Sequence, residues 1–413
     1  MMDSNRSKSS RTLRSSSSST QSTFIPTPST STSSGTALPG LGQPMPSLPI
    51  VPSGPLPVTA LSATSWRTKY PRIGQFAMTE QDEIIAAVPS GLLYFKRIND
   101  HVSKPWSEGR LLPNSTMLND SSVSGLAAIL TRGDHPRLCV YCASGGTLHS
   151  FILSTKDGSL CAKDSNPPFP NYTIGGTPAV AFSDRYRSQR WNLVVPCQSG
   201  GLLHTSTNGP SSDYYYNGRC SWEPVNHIAK DLGIISSISI ATVQRKTKNG
   251  YGTSKKTHLV MVCVASGRLH TAEGELSQSS SLHSNSPKWE VQAPTRIMHP
   301  GEVTGNPMLI SAEDQLDLLV PSAEGGIFHF VQPASAPDEW HMIARIGFPP
   351  GLPAASCFAV HPDKSYIRSY DPRRFRALIQ SGGQLYYVTT TESSEPWSGS
   401  YLRPILSPGP FYG

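Results

Sequence analysis

Two sets of residues in this 413-residue chain have the types and spacing that invite chemistry. Cys139 and Cys142 form a Cys-x-x-Cys pair, the pattern of metal sites and redox disulfides. His149, His204, His270 and His329 recur at near-regular intervals, with Tyr94 and Tyr386 at the matching positions of two further copies. Neither set reads as a reactive centre. The two cysteines lie inside the apolar run 138–144, which has the texture of a strand. Residues i and i+3 of a strand face opposite ways, so the thiols diverge. No second pair follows at zinc-site spacing. The seven cysteines are odd in number and irregularly spaced, and they read as buried reduced thiols. The histidines stand on successive repeats, too far apart to share one ion. Two roles are open to them: a structural histidine bonded to a neighbouring repeat, or a polar contact to a bound ligand. No metal site and no cofactor is expected.

Hydrolytic catalysis finds little support. Asp and Glu together number 28, and none recurs with the repeat. Neither G-x-S-x-G nor H-E-x-x-H is present. Residues 154–159 (STKDGS) echo the Asp-box of sialidase-type glycosidases, but in one partial copy. Such enzymes need an arginine clamp and a tyrosine nucleophile with an acid partner. The chain is therefore expected not to be an enzyme. Its Ser-Gly-Gly segments precede no helix start, so they are turns and not phosphate cradles.

The elements that must position these residues follow from the repeat. Gly and Pro number 34 and 37, charged residues make up 15%, and no stretch sustains a 3.6-residue apolar period. That texture predicts an all-β chain of short strands. Six copies of one unit occur, at 86–95, 140–151, 194–205, 261–271, 319–330 and 377–388. In each, an apolar strand ends in a small or polar turn, then come glycine, an apolar residue, and Tyr or His. Trp106, Trp222, Trp289, Trp340 and Trp397 trail five of the six hairpins at a variable distance; Leu160 stands there in the second copy. Further apolar runs lie upstream at 123–130, 177–182, 235–243, 305–311 and 353–360. Each unit thus offers four strands. A lone four-stranded sheet leaves two apolar faces open, and stacking such sheets in a closed ring buries them. The architecture expected is a β-propeller of six blades, with a degenerate seventh as the alternative. Residues 65–73 resemble the tryptophan strand at 396–405 and are expected to supply an outer strand at the seam.

Residues 1–61 form a different region. Ser and Pro fill 25 of the first 60 positions, and such a segment cannot bury enough apolar surface to offset its ordering entropy. It is expected to be a disordered tail, with the propeller domain spanning 62–413. The net charge of +7 includes Arg6, Lys8, Arg11 and Arg14 of that tail. No basic stripe interleaved with aromatics marks a nucleic-acid surface. No apolar run is long enough to span a membrane as a helix. The opening segment MMDSNRSKSSRTLRSSSSST carries no apolar core of a secretory signal, so the expected location is cytoplasmic, or outside the cell by a non-standard route.

The unit of apolar runs, Gly-Gly-x-Leu-His and trailing Trp over residues 62–413 resembles the bacterial PLL-type propeller lectins and the fungal fucose-binding propeller lectins. That resemblance implies carbohydrate binding, with glycans or glycoproteins as partners. In the fucose-binding family a site resembles an Arg, a Glu and a Trp from adjoining strands. Arg137 and Arg376 precede hairpin strands here, but the position of the Glu holds Phe95, Ser150, Thr205, Thr271, Phe330 and Tyr387. The candidate ligand-binding residues are Trp222, Trp289, Trp340 and Trp397, each with the aromatic of its own hairpin: His204, His270, His329 and Tyr386. Each Trp has two roles open to it, stacking on a sugar ring or packing between blades. A propeller that binds proteins and no glycan is the other reading of the same sequence.

Overall fold

The computed structural model describes residues 72–413 except 98–105, 108, 132–135, 157–158, 164–167, 184–189, 208–221, 250–251, 277–294, 298, 300, 312–314, 334–335, 349–350, 363–374, 390–400 and 405–413. The expected tail 1–61, Trp289 and Trp397 lie outside the described residues.

Among the described residues, 24 strands form six four-stranded antiparallel sheets, each a simple meander of consecutive strands. Blade 1 holds β1 (Phe76–Met78), β2 (Glu83–Val88), β3 (Gly91–Lys96) and β4 (Arg110–Leu111). Blade 2 holds β5 (Val123–Leu130), β6 (Arg137–Ser144), β7 (Thr147–Ser154) and β8 (Leu160–Lys163). Blade 3 holds β9 (Ala179–Phe182), β10 (Trp191–Pro196), β11 (Leu202–Ser206) and β12 (Asn226–Ile228). Blade 4 holds β13 (Ile235–Asn249), β14 (Gly252–Ala265), β15 (Arg268–Glu275) and β16 (Thr295–Ile297). Blade 5 holds β17 (Met308–Ser311), β18 (Gln315–Pro321), β19 (Ile327–Pro333) and β20 (His341–Ile346). Blade 6 holds β21 (Ala355–Pro362), β22 (Phe375–Ser381), β23 (Gln384–Thr389) and β24 (Tyr401–Pro404).

The first strands pack in the cyclic order β1, β5, β9, β13, β17, β21 and back to β1, which closes a six-bladed propeller. Each blade is covered on both faces, so its second strand is a mostly apolar run buried on both sides instead of alternating. All six residues of β2 and of β10 are buried. Six apolar clusters result, one per interface. Among the described residues the ring closes by packing, with blades 1 and 6 each built from their own four strands. Phe76, Ile84, Leu93 and Phe95 of blade 1 pack against Cys357, Leu378, Leu385 and Tyr387 of blade 6. Arg97 Nη1 donates to Tyr387 Oη at 2.7 Å across this seam, and Gln380 Nε2 donates to the Ile73 carbonyl at 2.9 Å. Of the seam strand expected from 65–73, residues 65–71 lie outside the described residues; Arg72 and Ile73 carry no strand pairing, and each described sheet holds four strands.

Close approach of the first strands explains two glycines. A Cβ on Gly125 would stand 2.3 Å from the Thr177 Cα of the next blade. Gly305, at φ 61°, would place a Cβ 2.6 Å from the Ser356 carbonyl oxygen. Cys139 and Cys142 face blades 3 and 1 respectively, so the pair diverges as the strand period requires. Burial pushes the thiols of Cys142 and Cys263 up to about 12 and that of Cys357 up to about 11, which keeps them protonated.

Candidate functional site

Register decides which interface each hairpin aromatic enters, because residues opposite one another share a face and one step of register reverses it. Tyr94 is opposite Ile85, which packs toward blade 2; His149 is opposite Cys142, which packs back toward blade 1. His204 (opposite Val194) and His270 (opposite Cys263) both enter the interface of blades 3 and 4. His329 (opposite Leu319) and Tyr386 (opposite Ile379) both enter that of blades 5 and 6. The six repeats thus resolve into three pairs of blades.

The odd-numbered blades share a polar device. The aromatic bonds a side chain two residues before the one opposite it. Tyr94 Oη donates to Glu83 Oε1 at 3.4 Å; His204 Nε2 lies 3.1 Å from Asn192 Oδ1; His329 Nε2 lies 2.9 Å from Asp317 Oδ1. These partners stand on the same sheet as the aromatic, and Tyr94 Oη also lies 3.4 Å from the Thr155 carbonyl of blade 2. His204 and His329 are buried, whereas His270 and Tyr386 of the even-numbered blades are half-buried. Burial, aided by Arg190, pulls His204 down to about 3, so its ring is neutral. Burial and then Arg296, Arg268 and His299 also lower His270. Burial raises Glu83 to about 7 against the opposing pull of Lys96 and the Tyr94 hydroxyl.

The described tryptophans that trail the hairpins, Trp106, Trp222 and Trp340, occupy the other three interfaces. Trp106 and Trp222 form single bridges, to Arg97 and Thr207, shortly ahead of their outer strands, and Trp340 directly precedes β20. Trp106 sits between blades 6 and 1, with rings of Phe95 and Tyr387 at 5.8 and 6.0 Å. Trp222 sits between blades 2 and 3, edge-on to Tyr141 at 6.0 Å. Trp340 packs between blades 4 and 5. All three are half-buried. A hairpin aromatic and the tryptophan of the same blade therefore look out of opposite faces. The structure does not bring Trp222 to His204, or Trp340 to His329.

It does bring Trp340 into the interface that holds the densest polar cluster. Arg245 of β13 donates through Nε and Nη2 to the two carboxylate oxygens of Glu273 on β15, at 3.1 and 2.9 Å. Arg245 Nη2 also reaches Gln332 Oε1 of blade 5 at 2.7 Å, and Gln332 Nε2 donates to the Pro337 carbonyl. His258 Nδ1 lies 2.8 Å from Glu273 Oε1. Burial alone would raise the Glu273 carboxyl, but the hydrogen bonds from His258 and Arg245 outweigh it and hold it below its ordinary value. Two buried polar atoms of this interface have no partner among the described residues: His258 Nε2 and Trp340 Nε1. With Nδ1 donating to the carboxylate, a neutral His258 presents Nε2 as an acceptor, while the indole N–H only donates. A hydroxyl, which both donates and accepts, complements the two.

Sequence reasoning missed Glu273 by one step along the same face. It sought the acid at Thr271, whereas β15 carries it at 273, opposite Val260. Arg245 was missed because the long β13 carries it beyond the apolar run that marked the strand. The seam interface repeats the combination on a smaller scale, with Trp106, the Arg97–Asp82 ion pair at 3.7 Å and Tyr387.

No known family model matches the chain, and no curated protein sequence matches it. Solved structures do. Aleuria aurantia lectin, determined with alpha-methyl-L-fucoside, is 11% identical with a TM-score of 0.50, over 83% of this chain and 99% of that one. AofleA from Arthrobotrys oligospora is 14% identical at the same TM-score, over 81% of this chain and 87% of that one. The fold is that of the fungal six-bladed lectins. At such identity the likeness is one of fold, and the polar cluster above rests on this chain's own residues.

Proposed function

We propose that this propeller binds carbohydrate without transforming it, at shallow sites between blades. The carrying observation is the interface of blades 4 and 5. There a half-buried tryptophan shares an interface with an arginine–carboxylate pair and with two buried polar atoms that lack partners among the described residues. An indole face accepts the apolar C–H face of a sugar, and hydroxyls complete the polar groups that the fold leaves open. Carbohydrate-binding neighbours of the same fold support the reading. The seam interface with Trp106 and Arg97 offers a second, similar site, and repeated sites make weak binding useful through avidity.

The test is a glycan array probed with the full chain, then titration of the best glycan. Trp340→Ala is expected to weaken binding without abolishing it, because the seam site survives. Trp340→Phe keeps the packing and removes the N–H; it should lower affinity roughly fivefold with little change in melting temperature. If neither variant altered binding, the site would be misplaced. An array with no bound glycan would favour a protein ligand instead. Exposed Met117, Tyr172 and Ile234, on the connections from blade 1 to 2, 2 to 3 and 3 to 4, suit that second reading.

A further inference from the structure

The hairpin of β13 and β14 is the longest among the described residues, its strands of 15 and 14 residues standing well beyond every other strand. The third strand, β15, accompanies it only as far as the pair of His258 with Glu275. Beyond that point, among the described residues, 246–249 and 252–255 pair only with each other, from Lys246 opposite Lys255 to Asn249 opposite Gly252. At about 3.3 Å per residue this two-stranded ribbon runs on for roughly 15 Å past the sheet. An isolated ribbon of this kind is marginally stable at best.

Its charge is one-sided. Residues 244–258 contain Arg245, Lys246, Lys248, Lys255 and Lys256 and no Asp or Glu. At the root, the third strand neutralises the ribbon: Arg245 bonds Glu273, and Lys256 Nζ bonds Glu275 Oε2 at 2.8 Å. Further out, β15 no longer runs alongside to supply a carboxylate. Lys246 and Lys255 are register partners, and Lys248 follows at the next position of the same parity, so all three hold register positions on one face of the ribbon. Like charges directly opposite one another destabilise a strand pair. The arrangement is favourable once an anion lies along it. Residues 246–255 contain one aromatic, Tyr251, so the lysines are not interleaved with the repeated stacking platforms of single-stranded nucleic-acid binders. Arg245 joins the ribbon to the polar cluster between blades 4 and 5, so a polysaccharide held at Trp340 has the ribbon's root beside it.

We propose that the β13–β14 ribbon is an anion-binding arm that selects sulfated polysaccharides, an inference that rests on the carbohydrate reading of the adjoining interface. The test compares dextran sulfate with unmodified dextran on the full chain, and the triple variant Lys246→Ser, Lys248→Ser, Lys255→Ser with the parent. The parent should bind dextran sulfate and lose it steeply with salt. In the triple variant the slope of log affinity against log salt should fall by about three, one for each lysine removed. Binding of the neutral glycan found on the array should be unchanged, and so should the melting temperature. Equal binding of dextran sulfate by parent and variant would overturn the proposal. So would equal affinity for a single-stranded DNA of the same charge, which would mark a general polyanion surface. Lysine-dependent capture of dextran sulfate with no neutral glycan bound would uphold the arm and sink the Trp340 site, so the two failures are distinguishable.

Discussion

At the scale of single residues, two buried titrating groups set opposite pH slopes. Glu83 is raised to about 7, so between its unfolded value near 4.5 and pH 7 the folded state holds a proton that the unfolded state releases. Its contribution is fully present below pH 4.5 and is lost as pH rises through 7. Glu83→Gln keeps a neutral, polar side chain there. It should raise stability at pH 8 by up to about 3 kcal/mol and flatten the alkaline limb, read from urea midpoints between pH 4 and 9. His204, lowered to about 3, works the other way. Its neutral ring stabilises the fold above pH 6.5, and that stability is lost as pH falls toward 3. His204→Gln should flatten the acid limb and leave the midpoint at pH 8 within about 1 kcal/mol of the parent, since Gln can still reach Asn192.

At the scale of elements, the second and third strands carry the core and the turns between them choose the interface. Blades 2, 4 and 6 turn in two residues, at 145–146, 266–267 and 382–383, and the third residue after the turn is the aromatic. Blades 3 and 5 use longer loops, 197–201 and 322–326, and their aromatics face the other way. In blade 1 the turn is again two residues, but Tyr94 stands one position further on. A marker of the division was present in the sequence. Val-Pro ends the second strand or opens its turn in the odd blades, at Val88-Pro89, Val195-Pro196 and Val320-Pro321, and at none of the even ones. Proline removes a ladder donor and so stops a strand early. The first strands make a separate demand, for closeness. Gly125→Ala would drive a Cβ to 2.3 Å from the backbone of Thr177. It should cost about 1–3 kcal/mol or more in chemical denaturation, with blades 2 and 3 forced apart. An equal or higher midpoint would show that these strands have room to shift.

At the scale of the molecule, ring closure couples every blade to two others. Unfolding one blade exposes two apolar interfaces, so the propeller should unfold in a single transition. Phe328 is 1% exposed in the interface of blades 4 and 5. Phe328→Ala should lower stability by about 3–5 kcal/mol while preserving that single transition. We further propose the domain boundary near residue 61. Limited proteolysis should remove residues N-terminal to it first, and calorimetry of the remaining 62–413 fragment should match the full chain. A first cut between blades would contradict a single cooperative ring.

The sequence by itself determined the blade. Strand number, hairpin position and the all-β class are local properties, written in apolar runs, in glycines that turn at positive φ, such as Gly146 at 76° and Gly383 at 80°, and in the repeat interval. Six copies pointed to six blades with a seventh as the alternative, and the packing of the first strands in one closed ring decided for six. The divergence of Cys139 and Cys142 was equally legible, since it depends only on the strand period. What only the tertiary structure decided is which side chains share an interface. His204 and Trp222 are close in the chain and belong to one blade, yet the sheet stands between them. Arg245, Glu273, Gln332 and Trp340 are spread over two blades, yet the stacking of those blades gathers them. Chain order places a residue on a strand, but its face follows from register, and a single insertion or deletion in a hairpin reverses that face. A motif aligned on its glycines therefore preserves the blade and loses the site.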